Sequence, residues 1–243
     1  MGSYGRGNQG GRGAAAGGRG GAAGAHGSGP GPAAKGSKAG KAVESAPIGM
    51  VVGLGNPGAE YADTRHNAGF LAIDELAHHL GASYWKTKPG ALIAEVTLGA
   101  AAQAAGGGPR KIVLVKPQAF MNCSGGPVKK LAEEYRVPAA GILVIHDELE
   151  IDAGAVRVRM GGGHAGHNGL RSLCDKLGTH DFPRVRVGIG RPPGRMAPAD
   201  FVLKELRGRD LEDFQVTVAD AASGALLAIE EGLPAALAKL GSK

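Results

Sequence analysis

The sequence predicts a single α/β domain whose mixed or mostly parallel sheet is covered on both faces. Three observations carry this. Short apolar, β-branched runs alternate with helical periodicity from about residue 48 onward, nothing comparable precedes that point, and the polar motifs fall just after the apolar runs. Ligands of open α/β sheets collect outside the carboxyl ends of strands, so the same pattern also places a site.

In chain order, strands are expected at Gly49–Leu54, Leu92–Leu98, Lys111–Val115, Ile142–His146, Ala155–Met160 and Arg184–Ile189, each rich in Val, Ile and Leu. Helices follow from spacing. Phe70, Ile73, Ala77 and Leu80 share one face, and so do Val128, Leu131, Ala132 and Tyr135. Leu170, Leu173 and Leu177 mark a third helix, Leu211, Phe214, Val218 and Ala221 a fourth, and Leu233–Leu240 a short closing one. Residues 99–110, rich in Ala and Gly, read as a long loop, and 191–198, with Pro192, Pro193 and Pro198, as irregular chain.

Ahead of this body lies a Gly- and Ala-rich tail, residues 1–46. Its first 43 residues carry Arg6, Arg12, Arg19, Lys35, Lys38 and Lys41 and no acid. Removing those six from the 28 basic residues leaves 22 against 22 acidic ones, so the net charge of +6 belongs to the tail. With Tyr4 as its one aromatic, the tail is expected to be disordered, because it cannot bury enough apolar area to offset its ordering entropy. Its Arg-Gly repeats fit either a solvated extension or an RNA-binding tail. There is no signal-peptide pattern and no apolar run long enough to span a bilayer. Cys123 and Cys174 make no ligand spacing, so a cytoplasmic protein is expected.

Several chemistries can be weighed on the motifs. Gly53-x-Gly55-x-x-Gly58 after a strand matches a dinucleotide fingerprint, but Pro57 and the polar stretch to Thr64 delay the helix, and Asp74 and Glu75 lie inside it. Gly161-Gly-Gly-His-Ala-Gly-His167 has no following Gly-Lys-Ser/Thr for a phosphate loop. His164 and His167 stand among glycines that fix no ligand geometry, and His78 and His79 face solvent on a helix, so no metal is expected. No Gly-x-Ser-x-Gly elbow exists, and Ser124 reads better as the N-cap of a helix at Pro127–Tyr135. What remains is His66 with Asp147 and several side-chain amides. A neutral imidazole takes a proton from water near neutral pH, a carboxylate fixes its tautomer, and amides hold carbonyls. That combination describes a water-activating hydrolase.

Four segments then carry a resemblance: Gly53-Leu-Gly-Asn-Pro-Gly58 with Thr64-Arg-His-Asn67, Lys116-Pro with Phe120-Met-Asn122-x-Ser-Gly125, His146-Asp-Glu-Leu149, and Gly161–Gly169. With Arg186–Arg191 and Asp200-Phe-Val-Leu203, they resemble bacterial-type peptidyl-tRNA hydrolase over residues 48–240. The resemblance implies a single-domain three-layer α/β/α sandwich, with a twisted mixed, mostly parallel sheet, as the catalytic domain at 47–243. It implies cleavage of the ester between a peptide and the terminal ribose of tRNA, by a monomer that needs no cofactor. His66 would activate water and Asp147 orient it. Asn56, Asn122 and Asn168 would hold the peptide backbone and reacting carbonyl, Tyr61 and Met121 would shape the pocket, and Asn67 and His167 would support the site. Departures from the family pattern are Gln118-Ala119 before Phe120, the loop 99–110 and the tail.

For the tRNA, Val156-Arg157-Val158-Arg159 puts both arginines on one face of a strand, and Arg184-Val185-Arg186 repeats the pattern. The resemblance implies that Arg159 and Arg186 clamp a phosphate, while exposed strand charge alone would give the same pattern. A catalytically dispensable RNA-binding or splicing-factor relative on the same fold is the competing function.

Overall fold

The computed structural model describes residues 46–99 and 109–241. Residues 1–45 of the tail expected to be disordered, and the centre of the loop read at 99–110, lie outside the described residues. Among the described residues, seven strands form one sheet: β1 (Met50–Gly53), β2 (Lys86–Lys88), β3 (Ala91–Leu98), β4 (Arg110–Pro117), β5 (Ile142–Glu148), β6 (Val156–Met160) and β7 (Pro183–Gly188). Their order is β2-β3-β4-β1-β5-β7-β6. The inner strands β4, β1, β5 and β7 are mutually parallel, with Val51 opposite Leu114 and Leu143, and Asp147 opposite Val187. Antiparallel pairing is confined to the margins, at β2–β3, β3–β4 and β6–β7. Five strands therefore run one way and two the other, the mixed sheet that the sequence predicts.

Alternation along the central strands builds two cores. Val51, Leu114, Leu143 and Ile145 face α1 (Ala68–His79), α5 (Arg209–Glu230) and α6 (Leu233–Leu240), whereas Met50, Val52, Val115 and Val144 face α2 (Gly125–Glu134) and α3 (Asn168–Leu177). Each fully buried Val, Leu or Ile contributes roughly 1.5–3 kcal/mol, so both layers are held on by the hydrophobic effect. The three-layer arrangement follows.

Helix ends obey local chemistry. Gly178 closes α3 in the left-handed region (φ 71°), its N–H bonding the Cys174 carbonyl at 2.9 Å. A Schellman-type turn closes α2, with Val137 N–H donating to the Ala132 carbonyl at 2.9 Å just before Pro138.

Two expectations need correction, and one strand is added. Ser124 flanks α2, but its hydroxyl donates to the Met121 carbonyl at 3.0 Å, and Ser172 of α3 accepts the Gly125 N–H at 2.9 Å instead. Pro198 is not irregular: it opens a short helix, α4 (Pro198–Leu203), where its missing N–H costs nothing. Strand β2 was not foreseen, since Lys-Thr-Lys has no apolar alternation. It is paired through a turn at Pro89–Gly90, where Gly90 has φ 77°. At the other margin, the outer edge of β6 meets the chain once more, through an isolated parallel bridge between Val158 and Gly241.

Candidate active site

The carboxyl ends of β1 and β5 lie side by side, and α1 is pressed onto them. A Cβ on Gly69 would run into the backbone of Leu54 and Ile145, so only glycine permits this approach. His66 belongs to the 3-10 turn Arg65–Asn67 that leads into α1, and Asp147 is the sixth residue of β5. Close packing of α1 on β1 and β5 brings two residues 81 positions apart into contact.

His66 Nδ1 lies 3.0 and 3.1 Å from the two Asp147 carboxylate oxygens. A carboxylate only accepts, so Nδ1 carries the proton and Nε2 keeps a lone pair. His167 reaches the same carboxylate, its Nε2 3.0 Å from Asp147 Oδ1. The His167 tautomer is fixed independently, because Nδ1 accepts from the N–H groups of Gly169 and Leu170 at 3.1 and 3.3 Å, capping α3. Asp147 is buried, with 4% exposure. Burial opposes its ionisation, but the His167 and His66 imidazoles bonded to it hold its carboxyl well below the usual carboxylate range.

Below them, His146 is sealed in the core. Its Nδ1 donates to the Asp147 carbonyl at 2.8 Å, and its ring meets His167 edge-on, with centroids 5.1 Å apart. Burial, reinforced by His167, pushes the His146 pKa down to about 3, so the ring is neutral in the fold.

His66, Asp147 and His167 lie close enough to suggest a metal centre. The protonation pattern argues against one. His167 Nδ1 is engaged as an acceptor, so its Nε2 holds the remaining proton and has no lone pair to give an ion. Ligation there would demand an imidazolate.

A cavity of about 910 Å³ opens over this group. His66, Asp147, Asn56, Met121 and His167 line it, with Asn122 and Asn168 further out. Asn56 is buried and oriented: its Oδ1 accepts the Met121 N–H at 2.8 Å, so its amide NH₂ is what it can still offer a ligand. Apolar Phe120 and Leu203, 61% and 42% exposed, form part of the mouth.

Asn67, expected to support the site, and Tyr61, expected to shape the pocket, both lie off the cavity wall. Asn67 is buried and does not line the cavity; it bonds both backbone groups of Asn56, a supporting role. Tyr61 does not line the cavity either. It closes the 3-10 turn Ala59–Tyr61, and its carbonyl accepts from the Thr64 hydroxyl at 2.8 Å, so the turn uses its backbone rather than its ring. Val202 and Leu203 of the Asp200-Phe-Val-Leu203 segment also line the cavity, as does Arg171, which the sequence did not single out. The Leu-x-x-Leu pattern around Arg171 gave no chemical cue.

The arginines of β6 and β7 form a ladder beyond the cavity. Arg157 is opposite Arg186 and Arg159 opposite Arg184, all on the face away from the buried valines Val156, Val158, Val185 and Val187. Arg157 and Arg159 are exposed. Arg186 is half-buried and paired with Glu148, its Nε and Nη2 each 3.1 Å from Oε2. Arg184 shares that face, as the sequence pattern implies, but is buried and turned onto backbone carbonyls.

Comparison with known proteins gives the family. The family model for peptidyl-tRNA hydrolase matches residues 50–243. The peptidyl-tRNA hydrolase of Kineococcus radiotolerans is 50% identical over 190 residues, covering 78% of this chain and 95% of that protein. That of Mycobacterium marinum is 50% identical over 184 residues, covering 76% and 92%. The crystal structure of peptidyl-tRNA hydrolase from Acinetobacter baumannii superposes with a TM-score of 0.70 at 32% identity, covering 80% of this chain and 95% of that one. With the family model and these relatives matching over most of the body, this chain belongs to the peptidyl-tRNA hydrolase family.

Proposed function

We propose that this peptidyl-tRNA hydrolase cleaves its ester with water activated by His66, inside a catalytic domain spanning residues 47–243. Water loses a proton to His66 Nε2 as its oxygen attacks the ester carbonyl carbon. Asp147, bonded to Nδ1, stabilises the imidazolium that results. The amide of Asn56, with Asn122 and Asn168 at the outer wall, donates to the peptide carbonyl as its oxygen gains charge. Collapse of the tetrahedral adduct breaks the bond to the ribose oxygen, which takes the proton back from His66. The products are a peptide acid and free tRNA, the recycling step for peptidyl-tRNA released in aborted translation.

One observation carries this reading: the His66–Asp147 pair at the floor of a cavity rimmed by amides. Met121 and the apolar mouth suit a peptide chain. A free ammonium entering such surroundings would be poorly solvated, which favours N-blocked substrates. Arg159 and Arg186, outside the cavity, suit a phosphate of the tRNA body, because guanidinium groups pair with phosphate oxygens by two parallel bonds.

The corresponding state is a cytoplasmic monomer. Among the described residues no helix is long and apolar enough to cross a membrane. The decisive experiment incubates the purified protein with N-blocked aminoacyl-tRNA, with and without a chelator. Release of the blocked amino acid, lost in His66→Ala and insensitive to chelation, is expected. Binding without deacylation would instead describe an RNA-binding protein.

A further inference from the structure

Arg184 of β7 lies on the arginine face of the sheet, yet only 3% of its surface is exposed. Its Nη1 donates to the Gly163 carbonyl and its Nη2 to the Gly162 carbonyl, both at 2.6 Å. The guanidinium lies over the Phe182 ring, 4.6 Å from its centroid. This placement is costly. Burial lowers the Arg184 pKa, the neighbouring charges of Arg159 and Arg186 act in the same direction, and Nε is buried without a partner. A cation kept dry beside others of its own sign has to be offset by something local.

What offsets it is the loop between β6 and α3. Gly161, Gly162, Ala165 and Gly166 all have positive φ, at 64°, 109°, 44° and 82°. A chain turned this way cannot satisfy its own carbonyls by helix or ladder, and Arg184 takes two of them. The loop runs straight into His167, which meets Asp147, and Asn168, which lines the cavity. The other end of the tie is fixed on the sheet: Arg184 pairs in register with Val144, three residues before Asp147 on β5. Arg184 thus spans the strand neighbour of Asp147 and the loop that delivers its second imidazole.

We propose that Arg184 is a positioning residue for ester hydrolysis: its paired bonds to Gly162 and Gly163 set the loop so that His167 reaches Asp147 and Asn168 faces the cavity. This rests on the roles given above to Asp147, His167 and Asn168. The residue touches no substrate. Its effect falls on turnover rather than on tRNA binding.

The test compares Arg184→Ala and Arg184→Lys with the wild type on two substrates, full peptidyl-tRNA and an N-blocked aminoacyl ester of a short CCA-ended oligonucleotide. A displaced group far from the chemistry lowers rate by roughly 10²-fold, so kcat should fall on that scale for both substrates while KM changes little. Millimolar guanidinium ion should restore part of the kcat of Arg184→Ala and leave the wild type unchanged, a response that general loss of stability would not give. A folded variant with near-normal kcat overturns the proposal, and so does a defect confined to full tRNA, which would make Arg184 a phosphate contact. If Arg184→Ala fails to fold, Arg184→Lys decides on the same kcat and KM readings, since an ammonium cannot bridge both carbonyls as a fork does. His66→Ala is run alongside: should it keep its turnover, the reading of the site fails, whatever Arg184 does.

Discussion

Asn67 grips Asn56 by both backbone groups, accepting its N–H at 2.8 Å and donating to its carbonyl at 3.0 Å. The side chain so held accepts the Met121 N–H in turn, so one buried amide fixes the orientation of the next. Asn67→Asp replaces the Nδ2 donor with an oxygen facing a carbonyl. The variant should lose about 1–3 kcal/mol of stability in urea unfolding, the cost of a buried group left unpaired. It should also lose turnover, because Asn56 is no longer oriented.

His66→Ala removes the group placed to take the proton from water. Turnover of N-blocked aminoacyl-tRNA should drop roughly 10²–10⁴-fold, the usual scale for losing a general base, while tRNA binding persists. Single-turnover kinetics with a separate binding titration check both parts. Near-normal release of the blocked amino acid would remove His66 from the mechanism.

Acid should weaken the fold partly through His146. Its pKa of about 3 in the fold lies below the ordinary 6.5, so between those values the unfolded chain binds more protons than the native one. Stability therefore rises with pH across that window and is fully present above it, with a slope of up to roughly 1.4 kcal/mol per pH unit. Asp147 acts lower down: its depressed carboxyl contributes stability above the ordinary carboxylate range and loses it as pH falls below that range. Urea unfolding of His146→Gln from pH 4.5 to 6.5 should show a flatter profile than the wild type. An unchanged slope would clear His146.

Arg159→Ala and Arg186→Ala should each weaken full tRNA substrates and reduce the salt slope of binding by about one phosphate contact. They should differ in stability. Arg186→Ala strands Glu148, which is 8% exposed, whereas Arg159 is an exposed side chain. Equal damage to a short CCA-ended ester would rule out a distant phosphate.

Much of this was legible in the chain itself. The six longer strands announced themselves because Val, Ile and Leu runs such as Ile142–Ile145 are buried on both faces of the sheet. His66 and Asp147 could be paired as chemistry, since each lies at or beyond the carboxyl end of an apolar strand and such ends converge in this class of fold. What stayed hidden depended on distant backbone. Strand β2 exists only through its register with β3. The helix opened by Pro198 looked like punctuation. Asn67 could be read as a supporting residue, but not as the support of the Asn56 peptide. The partners of Arg184 are glycine carbonyls some twenty residues upstream, and no side-chain pattern reports them.

The bridge between Val158 and Gly241 bears on how the molecule keeps to itself. Strand β6 is the last of its sheet, and its free backbone groups could template a strand from a second molecule. Gly241 lies across the middle of that row and interrupts it. Trimming the chain just before this residue would leave catalysis in place and open a sticky seam, seen first as aggregation on storage.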